Sequence, residues 1–299
     1  MRNGPILSHW PAFALATALL VSACSTRVDA GGKQTGVASV YALAWLVNSV
    51  GGDGVSVTDL TPPGVEAHDA VLTAQQRADI ETADLVVYLG QIGFQPDVEQ
   101  AIADANGRVV DVTSSGELLS GGGGVQYDPH VWLDPSKMAG FATKVGDALR
   151  ALDPADSSGY SSREASTIAE LTTLSNEFKQ RLSSCKYDTF VVSHEAFGYL
   201  AAATGLHQIG IQGLVPESEP SADRIGAAEL AVSSGQAAPI VFYENTDEGR
   251  RIADSIAADA GVQTAPLYTL ESAPSSSTQD YLSVMRANLS ALSNGLQCK

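Results

Sequence analysis

The apolar positions of this chain fall into two alternating patterns. Continuous apolar runs of four or five residues, such as Leu85-Val86-Val87-Tyr88-Leu89, fit strands buried on both faces of a parallel sheet. Longer stretches place apolar residues at helical spacing, as over 42–50, where Gly51-Gly52 supplies the stop. The pattern predicts strands over 36–41, 55–60, 85–89, 108–112, 189–193, 208–211, 239–243 and 264–267. It predicts helices over 42–50, 74–83, 96–104, 136–149, 197–203, 221–234, 247–260 and 279–292, with Thr73 and Ser221 as N-caps. Strand and helix alternate twice, and between the two series lies a helical stretch over 162–182, roughly six turns at 3.6 residues each. The reading is an α/β protein of two lobes with parallel sheets, joined by one long helix. Its bounds are an N-terminal lobe over 37–155, the linking helix over 156–184 and a C-terminal lobe over 185–299.

Residues ahead of the first strand follow a different logic. The run from Pro11 to Ala23 is almost wholly apolar and small, and it is too short for a membrane-spanning helix, which needs about 20 residues. It ends in Val21-Ser22-Ala23-Cys24, which resembles a bacterial lipoprotein signal over 1–24 with Cys24 as the lipidated residue. Several acyl chains on Cys24 would hold the protein stably at the membrane, where a single chain would not. Residues 25–36 are polar and Gly-rich and read as a flexible tether, with a reach on the order of 20 Å by random-coil scaling. The expected location is extracytoplasmic, anchored to the cell membrane.

Charge and cysteine content narrow the partners. The chain carries 34 acidic against 17 basic residues, a net of −17, which leaves no basic face for nucleic acid. Cys185 and Cys298 form an even pair in an exported chain, and a disulfide is the natural reading, with free thiols as the alternative.

Histidine is the chemistry that stands out. His130 sits in Tyr127-Asp128-Pro129-His130-Val131-Trp132-Leu133-Asp134-Pro135, and His194 in Val191-Val192-Ser193-His194-Glu195-Ala196-Phe197-Gly198-Tyr199. His68 follows Pro62-Pro63-Gly64. Read as three imidazoles presented from distant strand ends, they suit a pre-shaped site for a borderline metal such as zinc. Asp128, Asp134 and Glu195 are candidate acceptors that would fix the imidazole tautomers. His207 has no such motif and reads as a solvent-exposed structural residue, and His9 lies in the leader. The loop over 114–124, with four consecutive glycines, has no Lys-Ser/Thr and precedes a strand, so it reads as a mobile flap or a disordered stretch rather than a phosphate loop.

The His130 and His194 motifs, followed in order by Pro216-Glu217-Ser218-Glu219-Pro220-Ser221, resemble the zinc/manganese solute-binding proteins of ABC importers, the ZnuA-like group. The resemblance runs from about Val37 to the C-terminus. It implies two lobes on a rigid linking helix, with the metal between them and delivered to a membrane permease driven by a cytoplasmic ATPase. It also implies His68, His130 and His194 as the first three ligands and a carboxylate after a strand of the last lobe as the fourth. Glu271, in Leu267-Tyr268-Thr269-Leu270-Glu271-Ser272, is the match, with Asp280 and Glu244 as substitutes. Manganese-binding relatives replace the third histidine by a carboxylate, so His194 favours Zn2+ over Mn2+. The surroundings of His68 depart from the family pattern, and the loop over 114–124 lacks the histidines of many zinc members. Glu217 and Glu219 would cap the next helix or face the permease. A monomer is expected, and catalysis is not. The competing readings are a zinc-dependent hydrolase, for which no His-Glu-x-x-His helix or nucleophile elbow is present, and a metal-binding surface adhesin.

Overall fold

The computed structural model describes residues 32–299, with 1 and 4, apart from 64, 66, 69, 115, 123–124, 217–219, 275 and 277. Cys24, His9, Glu217 and Glu219 therefore lie outside the described residues, as does most of the tether.

Two four-stranded parallel sheets carry the architecture. In the first, β1 (Gln34–Ala38) is flanked by β2 (Val55–Asp59) and β3 (Leu85–Tyr88), and β4 (Arg108–Asp111) closes the edge, giving the order β2-β1-β3-β4. The second repeats it with β5 (Thr189–Val192), β6 (His207–Gly210), β7 (Ile240–Glu244) and β8 (Gln263–Leu267), in the order β6-β5-β7-β8. In each sheet the strand order reverses beside the first strand, and the crevice beyond the carboxyl ends at such a point is where open α/β sheets bind ligands.

Helices cover the sheets: α1 (Tyr41–Gly51), α2 (Ala74–Thr82), α3 (Pro96–Ala101) and α4 (Pro135–Leu152) in the first lobe, with α6 (Gly198–Thr204), α7 (Ala222–Ser233), α8 (Asp247–Ala260) and α9 (Tyr281–Gly295) in the second. The predicted caps are in place. Thr73 and Gln76 form a reciprocal capping box on α2, and Ser221 accepts from the Arg224 N–H at the start of α7. Asp134 caps α4 ahead of Pro135, whose missing N–H costs nothing at a helix start.

The link is α5 (Ser157–Arg181), 25 residues and so roughly 38 Å long at 1.5 Å per residue. Its inner stripe of Tyr160, Leu171, Leu174 and Phe178 is buried, and the helix packs on α1 and α4 of one lobe and α9 of the other. A single apolar core runs unbroken from Leu43 and Leu46 on α1, through Trp132, to Val284 and Leu289 on α9. The lobes therefore share packing as well as a connector. A disulfide joins Cys185 to Cys298 at the two ends of the second lobe, a sequence separation of 113. Among the described residues no helix is long and apolar enough to cross a membrane.

Boundaries shift by a few residues from expectation. The first strand ends at Ala38 because Tyr41 already opens α1, and the long helix starts at Ser157, directly after the turn over Pro154–Asp156.

Candidate metal centre

The residues singled out in sequence converge. His68, His130, His194 and Glu271 each offer a ligand atom, and those atoms all lie within 4.8 Å of one another. Ring centroids are 5.4 Å apart for His68 and His130, 5.4 Å for His68 and His194, and 4.9 Å for His130 and His194. His130 and His194 are fully buried, Glu271 is 3% exposed, and the His68 side chain is 3% exposed. Glu271 Oε1 stands 3.2 Å from His130 Nε2 and 3.8 Å from His68 Nε2.

The chain delivers these side chains by different means. His194 follows β5 after Ser193, beside β7 and at the point where the strand order reverses. His130 is not presented from a strand end; it sits in a loop that enters a single 3-10 turn over Val131–Leu133, because Pro129 cannot donate to a sheet ladder. His68 lies likewise in the loop between β2 and α2, where its ring packs edge-on to Phe94 at 4.6 Å. Glu271 follows Leu270, whose φ of +58° is uncommon for a bulky residue. That reversal is pinned on both sides. Thr269 O accepts from Trp132 Nε1 at 2.6 Å, and Glu271 O accepts from Tyr41 N at 3.0 Å and Thr61 Oγ1 at 2.7 Å. Although Glu271 belongs by chain order to the second lobe, its backbone is moored to the first.

Two buried carboxylates fix two of the rings. Asp128 Oδ1 accepts from the His130 backbone N–H at 2.9 Å and lies 2.8 Å from His130 Nδ1. Glu244, the last residue of β7, has Oε2 3.0 Å from His194 Nδ1, while its Oε1 accepts from Thr269 Oγ1 at 2.8 Å. An ionised carboxylate only accepts, so both rings carry their proton on Nδ1 and turn Nε2 toward the cluster. Of the other acceptors suggested by sequence, Asp134 is spent on capping α4 and Glu195 on an ion pair with Arg224 at 2.8 Å. Asp280 caps α9, and His207 is exposed at the start of β6. Glu244 therefore serves His194 rather than joining the quartet. Phe94 and Thr269 had no sequence signal that marked them.

The electrostatics divide the histidines. Burial, with His130 and His194 adding to it, pushes the His68 pKa far below the ordinary imidazole value, so this ring is neutral. Burial works the same way on His194, but the charge and hydrogen bond of Glu244 override it and raise the pKa. The converse holds for Glu244: burial opposes its ionisation, and the His194 charge outweighs it and holds the carboxyl below its ordinary range.

The donor set fits a divalent ion of borderline softness: imidazole nitrogens and one carboxylate, close enough to share a single centre. His68 Nε2 and His130 Nε2 are buried and make no hydrogen bond among the described residues. A buried polar atom left so costs ~1–3 kcal/mol in a fold with no ligand for it. A cavity of about 760 Å3 lined by Leu119, Tyr127, Lys137 and Tyr199 reaches none of the four.

Comparison with known proteins gives one answer. The family described as zinc-uptake complex component A, periplasmic (ZnuA), matches over residues 37–295. The zinc-binding lipoprotein AdcA of Streptococcus pneumoniae strain R6 is 32% identical over 293 residues, covering 92% of this chain and 58% of AdcA, so the chain spans little more than half of that relative. The high-affinity zinc uptake system protein ZnuA of Bacillus subtilis is 29% identical, covering 94% of this chain and 95% of the relative. Among solved structures, the Zn(II)-bound ZnuA-like domain of S. pneumoniae AdcA superposes with a TM-score of 0.76 at 31% identity, covering 89% and 99% of the two chains. The laminin-binding protein Lmb of Streptococcus agalactiae, described as bifunctional with adhesin and metal-transporting activity, gives 0.80 at 29% identity, covering 88% and 99%.

Proposed function

The chain belongs to the periplasmic zinc-uptake component A family, and from that premise we propose that it captures Zn2+ outside the cytoplasm and hands it to an ABC importer. The observation that carries the reading is the buried quartet, with His68 Nε2 and His130 Nε2 turned inward and not hydrogen-bonded. His68, His130, His194 and Glu271 are the ligands, and the nitrogen-rich set favours zinc over manganese. The partner is a permease with a cytoplasmic ATPase, and the anchor is lipid on Cys24, which keeps a monomeric body near the permease mouth. The protein is a carrier and not an enzyme. Four protein donors would complete the four-coordinate shell that zinc takes and would leave no position for a reactive water.

The chemistry is ligand exchange coupled to proton release. An imidazolium cannot coordinate, so each proton on a ligand nitrogen competes with the ion. His68 is already neutral. His194, when protonated on both nitrogens, gives Nδ1–H to Glu244 and Nε2–H toward Leu214 O at 3.4 Å, and the ion takes the place of the Nε2 proton. Because Glu244 raises the His194 pKa, affinity should begin to fall on acidification above the ordinary imidazole value of about 6.5. Calorimetric titration of chelator-stripped protein should give one tight zinc per chain and weak manganese. The zinc enthalpy should vary with the ionisation enthalpy of the buffer, because protons leave. No zinc binding would end the reading.

Glu244→Gln should lower zinc affinity about 10- to 100-fold, the range for groups that orient a metal-bound histidine. Its amide oxygen can still accept from His194 Nδ1 while its NH2 faces the Thr269 hydroxyl, but the acceptor is neutral and no longer holds the ring by charge. Chelator competition reads the change. A second reading, a surface adhesin, draws on structural neighbours described as laminin-binding, Lmb among them, and binding of the purified chain to laminin would test it.

A further inference from the structure

The motif that carries His194 continues into Phe197-Gly198-Tyr199. Gly198 and Tyr199 reach across to the other lobe. Tyr199, 2% exposed on α6, donates its hydroxyl to Asp128 O at 3.0 Å and accepts from the Leu119 N–H at 2.9 Å. Asp128 N donates to Leu119 O at 3.0 Å, so hydroxyl, loop and Asp128 backbone close one hydrogen-bonded ring. Gly198 receives the other end of the same residue: a Cβ there would lie 2.7 Å from Asp128 Oδ2. Only glycine admits the carboxylate so closely. Asp128, itself 3% exposed, is thus gripped by its carbonyl and by its outer carboxylate oxygen, and its inner oxygen holds His130.

We propose that Tyr199 and Gly198 are positioning residues for His130, acting through Asp128, so that the aim of a ligand on the first lobe is set by a helix of the second. The inference rests on His130 being a zinc ligand. Burial, together with the Asp128 charge and against the Leu119 hydrogen bond, pushes the Tyr199 pKa up and keeps the hydroxyl a donor. The geometry gives the loop around Leu119 and the His194 motif one shared point of contact. It also gives Tyr199 of the His194 motif a place in the site: one motif supplies a proposed ligand and the brace for another.

The test is a cycle of Tyr199→Phe and His130→Ala on the purified full chain, with zinc affinity read by chelator competition. Tyr199→Phe should weaken zinc about 10- to 100-fold in the parent, yet by no more than about twofold once His130 is gone, because effects that share one route do not add. A metal-independent reading uses stripped protein. The His130 Nδ1–H proton, assigned in NMR spectra by its absence from His130→Ala, should exchange with water faster in Tyr199→Phe and in Gly198→Ala. An equal loss of affinity in both backgrounds, or unchanged exchange of that proton, overturns the proposal. If the parent protein bound no zinc, the transport reading would fail while the proton exchange still judged the brace.

Discussion

His130→Ala is expected to lower zinc affinity by roughly three orders of magnitude, ~4 kcal/mol. The substitution removes one of the four proposed donors and does more. His130 is fully buried, its ring lies against Trp132 at 5.4 Å between centroids, and its Nδ1 is the donor that Asp128 Oδ1 faces. Alanine would leave Asp128 Oδ1 buried with the backbone N–H of residue 130 as its one remaining donor among the described residues, so the void admits water where the ion needs a dry, shaped pocket. The stripped variant should keep its far-ultraviolet circular dichroism, because the site is laid on the core and is not part of it. The clearest readout is thermal. Ligand bound only to the folded state stabilises by mass action, by ~4 kcal/mol at a thousandfold excess over Kd. The zinc-induced rise in Tm of the parent should therefore vanish in His130→Ala at the same free zinc. A rise equal to that of the parent would remove His130 from the ligand set.

Trp132→Ala is expected to cost about 3–5 kcal/mol of stability from the lost ring alone. Trp132 is the largest fully buried side chain among the described residues, and it sits where the lobes meet. Its ring packs on Phe94 at 5.9 Å, its Nε1 donates to Thr269 O, and its carbonyl accepts from Tyr281 at 2.6 Å. The lost indole N–H adds ~1–3 kcal/mol for the orphaned Thr269 carbonyl. Against a total of about 5–15 kcal/mol for a typical domain, the variant should unfold at markedly lower urea. Trp132→Phe separates the two contributions by keeping most of the packing and losing only the hydrogen bond. Urea midpoints of the three proteins decide it: an alanine variant within ~1 kcal/mol of the parent would show that the junction is not a packed core.

Much of this architecture is legible in the sequence because parallel strands and covering helices write in different periods. The apolar run from Leu85 is typical of a strand buried on both faces and forms β3, and Thr73 and Ser221 announce helices that begin after them. The histidines are legible through their motifs, and Glu271 through its place after the last strand. The partnerships are not. Glu244 and Glu271 are both carboxylates at or beyond strand ends, and nothing local says that one steadies His194 from 50 residues away while the other joins the quartet. Sequence neighbours mislead for the same reason. Asp134 and Glu195 stand beside histidine motifs, but a helix cap and Arg224 claim them first. His68 is the extreme case: its loop departs from the family pattern, and its position is settled by Phe94 and by the rings it meets.

The mooring of Glu271 decides the order in which an ion would shed its ligands. Its carbonyl is tied to Tyr41 and Thr61, so the carboxylate travels with the lobe that holds His68 and His130. His194, steadied by Glu244 on β7, has its supports in the other. With the proposed ligand set, the coordination sphere would thus divide three against one rather than two against two. Widening of the cleft would strip a single imidazole first, and departure would begin as one dissociation from an ion still held on a tripod.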